Sequence, residues 1–343
     1  MHGWASACAA AAHRSRCEVM ATKLLTCIVG VFLLSAVAAE AQDWPQRPIV
    51  MVVSQSAGAS PDIMARLLAN ALSERFGQGV VVENKTGGGN VIGANAVARS
   101  SPDGYTFFFA TSAALVGNPF LMKNLTYDPV KDFEPVALVT RSHQVVVVHP
   151  GVAAKTLAEL IALEKASPGK LSIAVDGPRN LAGVTARAFN KRADTQFVLV
   201  PYPNINNGVQ DTMAGRTEVG VFSISVVESL IRDGALRAIA VAANKKSTAL
   251  PDVPLISETL PGFDLGGWFM LMAPAGTPKP IVDKMSAAIA AAIRDPKVAE
   301  IGGNLGFDLE GPEDVNPQRA AAYLKEQLAL WGQLTAELGI EAQ

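Results

Sequence analysis

Ile49-Val50-Met51-Val52-Val53-Ser54-Gln55-Ser56-Ala57-Gly58-Ala59-Ser60-Pro61-Asp62 is the stretch that decides the fold. Its first five residues are uninterrupted apolar and mostly β-branched, the mark of a strand buried on both faces. A short loop of small and hydroxyl-bearing residues follows. Ser60-Pro61-Asp62 then opens a helix, with Ser as N-cap, Pro in the first turn and Asp near the positive end of the dipole. Met64, Leu67, Leu68, Ala71 and Leu72 recur at helical spacing, and Gly77 stands where a left-handed cap closes such a helix. Strand, loop and helix make the repeating unit of an α/β fold.

Working outward, the unit recurs. A strand over 80–82 leads through the turn Thr86-Gly87-Gly88-Gly89-Asn90 into a helix over 94–98, and Pro102-Asp103-Gly104 turns the chain into a strand over 106–109. The β-branched run 145–148 carries the chain into a second lobe. Strands are predicted there over 171–175, 197–200, 219–222 and 236–241, with helices over 182–189 and 209–213. The proline-rich segment 251–261 reads as a surface connection, 269–272 as the return to the first lobe, and 280–293 and 317–338 as helices. The expected architecture is α/β with largely parallel sheets, in two lobes joined by two crossings: 42–143 with 265–343, and 144–264. Such sheets bind ligands beyond the carboxyl ends of their strands, so two facing lobes share one cleft. The transitions 54–62, 111–114, 176–180 and 202–207 meet that description, and free N–H groups at helix starts there favour an anion such as a carboxylate.

The 343 residues, 49% hydrophobic and 17% charged with a formal net charge of −2, suit two lobes with cores of their own. The near-neutral balance without a basic block argues against a nucleic-acid partner. Residues 1–41 read as a secretory signal: Met20-Ala-Thr-Lys23 (Met20 being a candidate start), an apolar run over 24–39, then Ala39-Glu40-Ala41. The run falls short of the ~20 residues a spanning helix needs, which disfavours a retained anchor. Cys8, Cys17 and Cys27 all lie in this leader, so the exported chain has no disulfide, thiolate ligand or cysteine nucleophile. His143 and His149 are its only histidines, too few for a multi-histidine metal site, and there is no HExxH or GxSxG. Ser167-Pro-Gly-Lys170 has the SxxK spacing, but Pro-Gly makes it a turn. Gly87-x-Gly89 lacks the further glycine of a dinucleotide fingerprint and reads as a structural turn. No catalytic set, cofactor or metal is expected.

Several segments resemble Bug-type extracytoplasmic receptors, the solute receptors of tripartite tricarboxylate transporters. They are Trp44-Pro-Gln-Arg-Pro-Ile49, Gly77-Gln-Gly-Val-Val-Val-Glu-Asn84, Ser101-Pro-Asp-Gly-Tyr-Thr106, Tyr127-Asp-Pro-Val-Lys-Asp-Phe133, Pro168-Gly-Lys-Leu171, Val200-Pro-Tyr202, Leu250-Pro-Asp-Val-Pro254 and Ala273-Pro-Ala-Gly-Thr-Pro278. The similarity runs in order over residues 44–340. It implies a type II periplasmic-binding-protein fold (a Venus flytrap) closing on a small organic carboxylate, a periplasmic monomer and delivery to membrane permease subunits. The alternative is a periplasmic sensor feeding a signalling partner. Candidate binding residues are Ser54, Ser56, Ala57, Gly58 and Asp62; Thr111, Ser112 and Ala113; Asp176, Gly177, Arg179 and Asn180; Tyr202, Asn204 and Ser223.

The chain departs from the family at the site. Ser54-Gln-Ser-Ala-Gly-Ala59 stands where relatives carry Pro-Phe-Pro-Pro-Gly-Gly. Val175-Asp-Gly-Pro-Arg-Asn180 replaces a pattern close to Ser-x-Gly-x-Gly-Ser, and Asn204 replaces a glycine. Arg179 is expected either to clamp a ligand carboxylate or, as the bland alternative, to pair with Asp176 or stand as a solvated side chain. The two charges together suit a carboxylate that also carries a hydroxyl or an amine.

Overall fold

The computed structural model describes residues 44–339, apart from Asn244 and Asp264, together with Ala342. The signal read over residues 1–41, with its three cysteines, lies outside the described residues. The chain divides into Met1–Gln46 and Arg47–Gln343. Within the first, the Trp44–Pro45 bond is cis. The second carries everything below.

Its strands are β1 (Ile49–Val53), β2 (Val80–Asn84), β3 (Thr106–Thr111), β4 (Phe133–Ser142), β5 (Gln144–Val148), β6 (Ser172–Val175), β7 (Val198–Pro201), β8 (Val219–Ser223), β9 (Arg237–Ala242), β10 (Gly267–Pro274) and β11 (Phe307–Leu309). They form two sheets, ordered β11-β4-β10-β3-β1-β2 and β7-β6-β8-β5-β9. The longer helices are α1 (Ser60–Phe76), α2 (Val91–Ala98), α3 (Leu157–Ala166), α4 (Leu181–Ala193), α5 (Ile205–Met213), α6 (Ile224–Arg232), α7 (Lys279–Ala292), α8 (Pro296–Asn304) and α9 (Pro317–Leu338).

The sheets are mixed rather than largely parallel. β1 runs parallel to β2 and β3, and β6 parallel to β7 and β8. β10 is antiparallel to β3 and β4, and β5 antiparallel to β8 and β9. The cause is the crossing itself. β4 and β5 are nearly one strand interrupted at His143, leading out of the first sheet, whereas β10 re-enters it, so β4 and β10 lie side by side in opposite directions.

Side-chain alternation explains why β5 reads as continuous valine. Val146 and Val148 join one core with Ile173, Phe189 and Phe197, while Val145 and Val147 join another with Ile205, Val209 and Phe222. Successive residues point to opposite faces, and both faces are covered. In the first sheet, Val52, Phe108, Leu138 and Met270 pack with Leu324 and Trp331 of α9.

α1 ends as expected on Gly77, at φ 64°. Its start differs. Ala59 is the N-cap and offers no side-chain cap, while Ser60 lies one residue inside. The Ser60 hydroxyl instead lies 3.1 Å from the Ser142 Oγ and accepts from the Ser225 Oγ at 2.9 Å, tying α1 to the end of β4 and the start of α6. The 251–261 segment is more than a surface connection. It holds a short helix, Ile256–Thr259, whose first residue is fully buried, and the Val241 N–H donates to the Pro254 carbonyl.

Candidate functional site

A cavity of about 270 Å³ lies where the two sheets face each other. Ser54, Gln55, Ser56 and Ala59 line it after β1, residues 86–90 after β2, residues 176–180 after β6, and Pro203 and Ile205 after β7. Every wall follows the carboxyl end of a parallel strand, where loop backbone and helix starts offer unpaired N–H groups. α1, α2 and α4, whose starts adjoin these loops, all have an N-cap residue without a side-chain cap; at α4 the Ala182 N–H is engaged by the Asp176 carboxyl instead, while at α1 and α2 the positive dipole ends are left for other partners.

The 86–90 loop is the wall the sequence concealed. Gly87, Gly88, Gly89 and Asn90 all have positive φ (121°, 60°, 64° and 78°). Three glycines make that path accessible, and Asn is among the few other residues that tolerate it. Asn90 is buried and held from both sides. Its Oδ1 accepts from the Ser54 Oγ at 3.0 Å, and its Nδ2 donates to the Asn180 Oδ1 at 2.8 Å. Asn180 in turn donates through Nδ2 to the Asp176 carbonyl at 2.8 Å. One run of hydrogen bonds therefore spans from the end of β1, across the cleft, to the loop after β6.

That loop carries two charges. Among the described residues, Arg179 takes part in no hydrogen bond or ion pair, so the pair with Asp176 is not formed. Its charge is felt by Arg187 on α4, whose guanidinium is held below its ordinary pKa by burial and by Arg179. Arg187 donates to the Pro178 carbonyl at 2.8 Å, bracing the loop from behind. Asp176 is half-buried as a residue, but its Oδ1 is shielded from solvent and has no hydrogen-bond partner. Burial pushes its carboxyl up to about 7, against the opposing pull of its own N–H and that of Ala182.

Of the fifteen candidates, Ser54, Ser56, Asp176, Gly177, Arg179 and Asn180 line the cavity. The others lie behind or beside it. Asp62 is buried and engaged by the Gly58 N–H, the Arg66 Nε and the Asn84 Nδ2. The Ala57 carbonyl accepts from the Asn206 Nδ2 at 3.3 Å, a second contact across the cleft. Thr111 caps the turn at Ala114, and Ser112 and Ala113 are buried in it. Tyr202 donates to Asp211 at 2.7 Å, Asn204 caps α5, and the Ser223 Oγ accepts from Gln144. His143 sits at the crossing between β4 and β5, with its Nε2 2.9 Å from the Asp308 carboxylate, outside the cavity. Gln55, Ala59, Pro178, Pro203 and Ile205 also line the cavity, inside the flagged transitions but not among the candidates, and the 86–90 loop was missed altogether. The signal for the last was present, since it too follows the carboxyl end of a strand.

Comparison with known proteins agrees with this architecture. The pattern of the "Tripartite tricarboxylate transporter family receptor" (TctC) matches residues 64–340. A UPF0065 protein of Bordetella bronchiseptica is 36% identical over 296 residues, 86% of each chain. The solved structure of the periplasmic binding protein BugD superposes with a TM-score of 0.83 at 32% identity, covering 88% of this chain and 100% of BugD. MatC from Rhodopseudomonas palustris with bound malate gives 0.80 at 29% identity, covering 85% and 99%. With the fold, the facing strand ends and the family pattern in agreement, the chain belongs to the tripartite tricarboxylate transporter receptors, a family of solute-binding rather than catalytic proteins.

Proposed function

We propose that this receptor binds a small organic carboxylate in the cavity between residues 54–59, 86–90 and 176–180, and that lobes 42–143 with 265–343 and 144–264 close over it. A malate-bound relative supports the ligand class. The observation that carries the reading is Arg179, a guanidinium on the cavity wall that no protein group engages among the described residues. Its planar fork matches a carboxylate. Ser56 and the uncapped starts of α1 and α2 supply further donors. Asn90 and Asn180 act as the latch between lobes. Residues 1–41 export the chain to the periplasm, where the ligand-loaded form is presented to the permease subunits of a tripartite transporter.

Calorimetric titration of the purified protein with carboxylates, before and after Arg179→Ala, tests this. Loss of a charge-assisted hydrogen bond of about 1.5–3 kcal/mol predicts roughly ten- to hundredfold weaker binding. An unchanged dissociation constant rules out the clamp.

A further inference from the structure

Asp176 is not explained by carboxylate capture alone, because an acid is an unsuitable wall for an anion. Its Oδ1 is shielded from solvent and unpartnered, while the carboxyl is also held by the Ala182 N–H; the residue lines the same cavity as the free Arg179, three positions away on the same loop. Arg179 is the one basic side chain on the cavity wall, and Asp176 the one acidic side chain. A dicarboxylate would satisfy the arginine with one end and bring the cavity to net negative charge beside Asp176. A ligand carrying both signs leaves no charge uncompensated. The remaining wall is apolar at Ala59, Pro178, Pro203 and Ile205. A cavity of about 270 Å³ has room for a small metabolite.

We propose that the ligand is a small zwitterion, an amino acid with an uncharged side chain, whose carboxylate meets Arg179 and whose ammonium meets Asp176. This rests on the receptor reading above and narrows it. Burial in the free site raises the Asp176 carboxyl to about 7. An ammonium beside it favours the ionised form, so binding releases a proton below that pH and weakens there. The groups acting on the Asp176 carboxyl are backbone N–H groups, its own and that of Ala182; Arg179 stands on the same loop and Arg187 on α4, and the facing segments 54–59 and 86–90 carry no charge.

The test is calorimetry at pH 8 with matched pairs, L-alanine against propionate and L-leucine against 4-methylpentanoate, alongside succinate and malate. At least one amino acid is expected to bind about tenfold or more tightly than its desamino partner and than either dicarboxylate. Asp176→Asn, checked for folding by circular dichroism, is expected to erase that advantage. Should the variant not fold, the wild-type protein still decides: between pH 8 and pH 6 amino-acid affinity is expected to fall and succinate affinity to rise. Equal binding within each pair, a dicarboxylate preference at pH 8, an advantage that survives Asp176→Asn, or absence of the pH trend overturns this inference and leaves the receptor reading standing. Failure of every carboxylate to bind overturns both.

Discussion

Asn90 shows how one side chain does what several would otherwise have to do. It adopts a left-handed backbone at φ 78°, and both ends of its amide are engaged, to Ser54 on one side of the cleft and Asn180 on the other. Glycine would accept the same φ without strain but would carry no amide. Asn90→Gly is therefore expected to keep the fold while removing the latch. At about 1 kcal/mol for a lost hydrogen bond, ligand affinity should fall about fivefold or more, as read by calorimetry, with an unchanged circular dichroism spectrum. Arg179 and Asp176 make the complementary point. Arg179 departs from the family pattern, Asp176 fills a position that the pattern leaves open, and both are visible in the sequence, yet whether they pair with each other is a matter of geometry. The structure leaves them unpaired with each other: Arg179 stands on the cavity wall without a partner among the described residues, and the Asp176 Oδ1 is shielded from solvent. Nine candidates do not line the cavity, because position after a strand does not say which side chains a loop spends on itself. Asp62 is the clearest instance.

Among the elements, α1 and α4 set the two principal loops, and each does so with an identifiable residue. Gly183, in the first turn of α4, lies so close to the preceding loop that an added Cβ would fall 2.1 Å from the Gly177 carbonyl oxygen and 2.9 Å from the Pro178 Cα. Both are backbone atoms, so the loop must move. Gly183→Ala is expected to destabilise by about 1–3 kcal/mol, lowering Tm by several degrees, and to displace Arg179 with it. At α1, burial works to raise the Asp62 pKa, but the bonds from Arg66, Gly58 and Asn84 outweigh it and hold the carboxyl below its ordinary value. The sign follows: this contribution is present above the unfolded pKa of about 3.9 and is lost as pH falls through the folded value. Asp62→Asn should therefore lessen the loss of stability on acidification below about pH 4, measured by denaturant unfolding at several pH values. Elements with a strong period or a continuous apolar run, such as β1, β5 and α9, were legible to within a few residues. β4 was not, because Glu134, Pro135, Thr140 and Arg141 break the run of a strand held in place by β10 and β11. α3, α6 and α8 lie outside the sequence reading, although in α6 Ile224, Val227 and Ile231 recur at helical spacing, and α2 is longer than its sequence pattern because its start depends on the unusual 87–90 turn.

At the scale of the whole molecule, two mixed sheets present the ends of their parallel strands to one cavity, with the chain crossing between them near His143 and again before β10. Side-chain ties gather at the first crossing. Ser60, Ser142 and Ser225 form one cluster, while His143 and Lys245 both approach Asp308. Across the mouth, by contrast, the bridges are the amides of Asn90 with Asn180 and of Asn206 with Ala57. A molecule tied at its first crossing and lightly at its mouth has the build for a hinge motion about the former, the motion suited to capture and release. Two α/β sheets with the chain returning to the first were legible in the order of the strand-like runs; the mixed character of the sheets was not, because periodicity does not report strand direction. The most direct test of the central claim is calorimetric titration of the purified protein with small carboxylates, amino acids included. Saturable binding of one ligand per chain, weakened about tenfold or more by Arg179→Ala, is the predicted result. Absence of binding by every carboxylate, or binding indifferent to Arg179, would contradict the account.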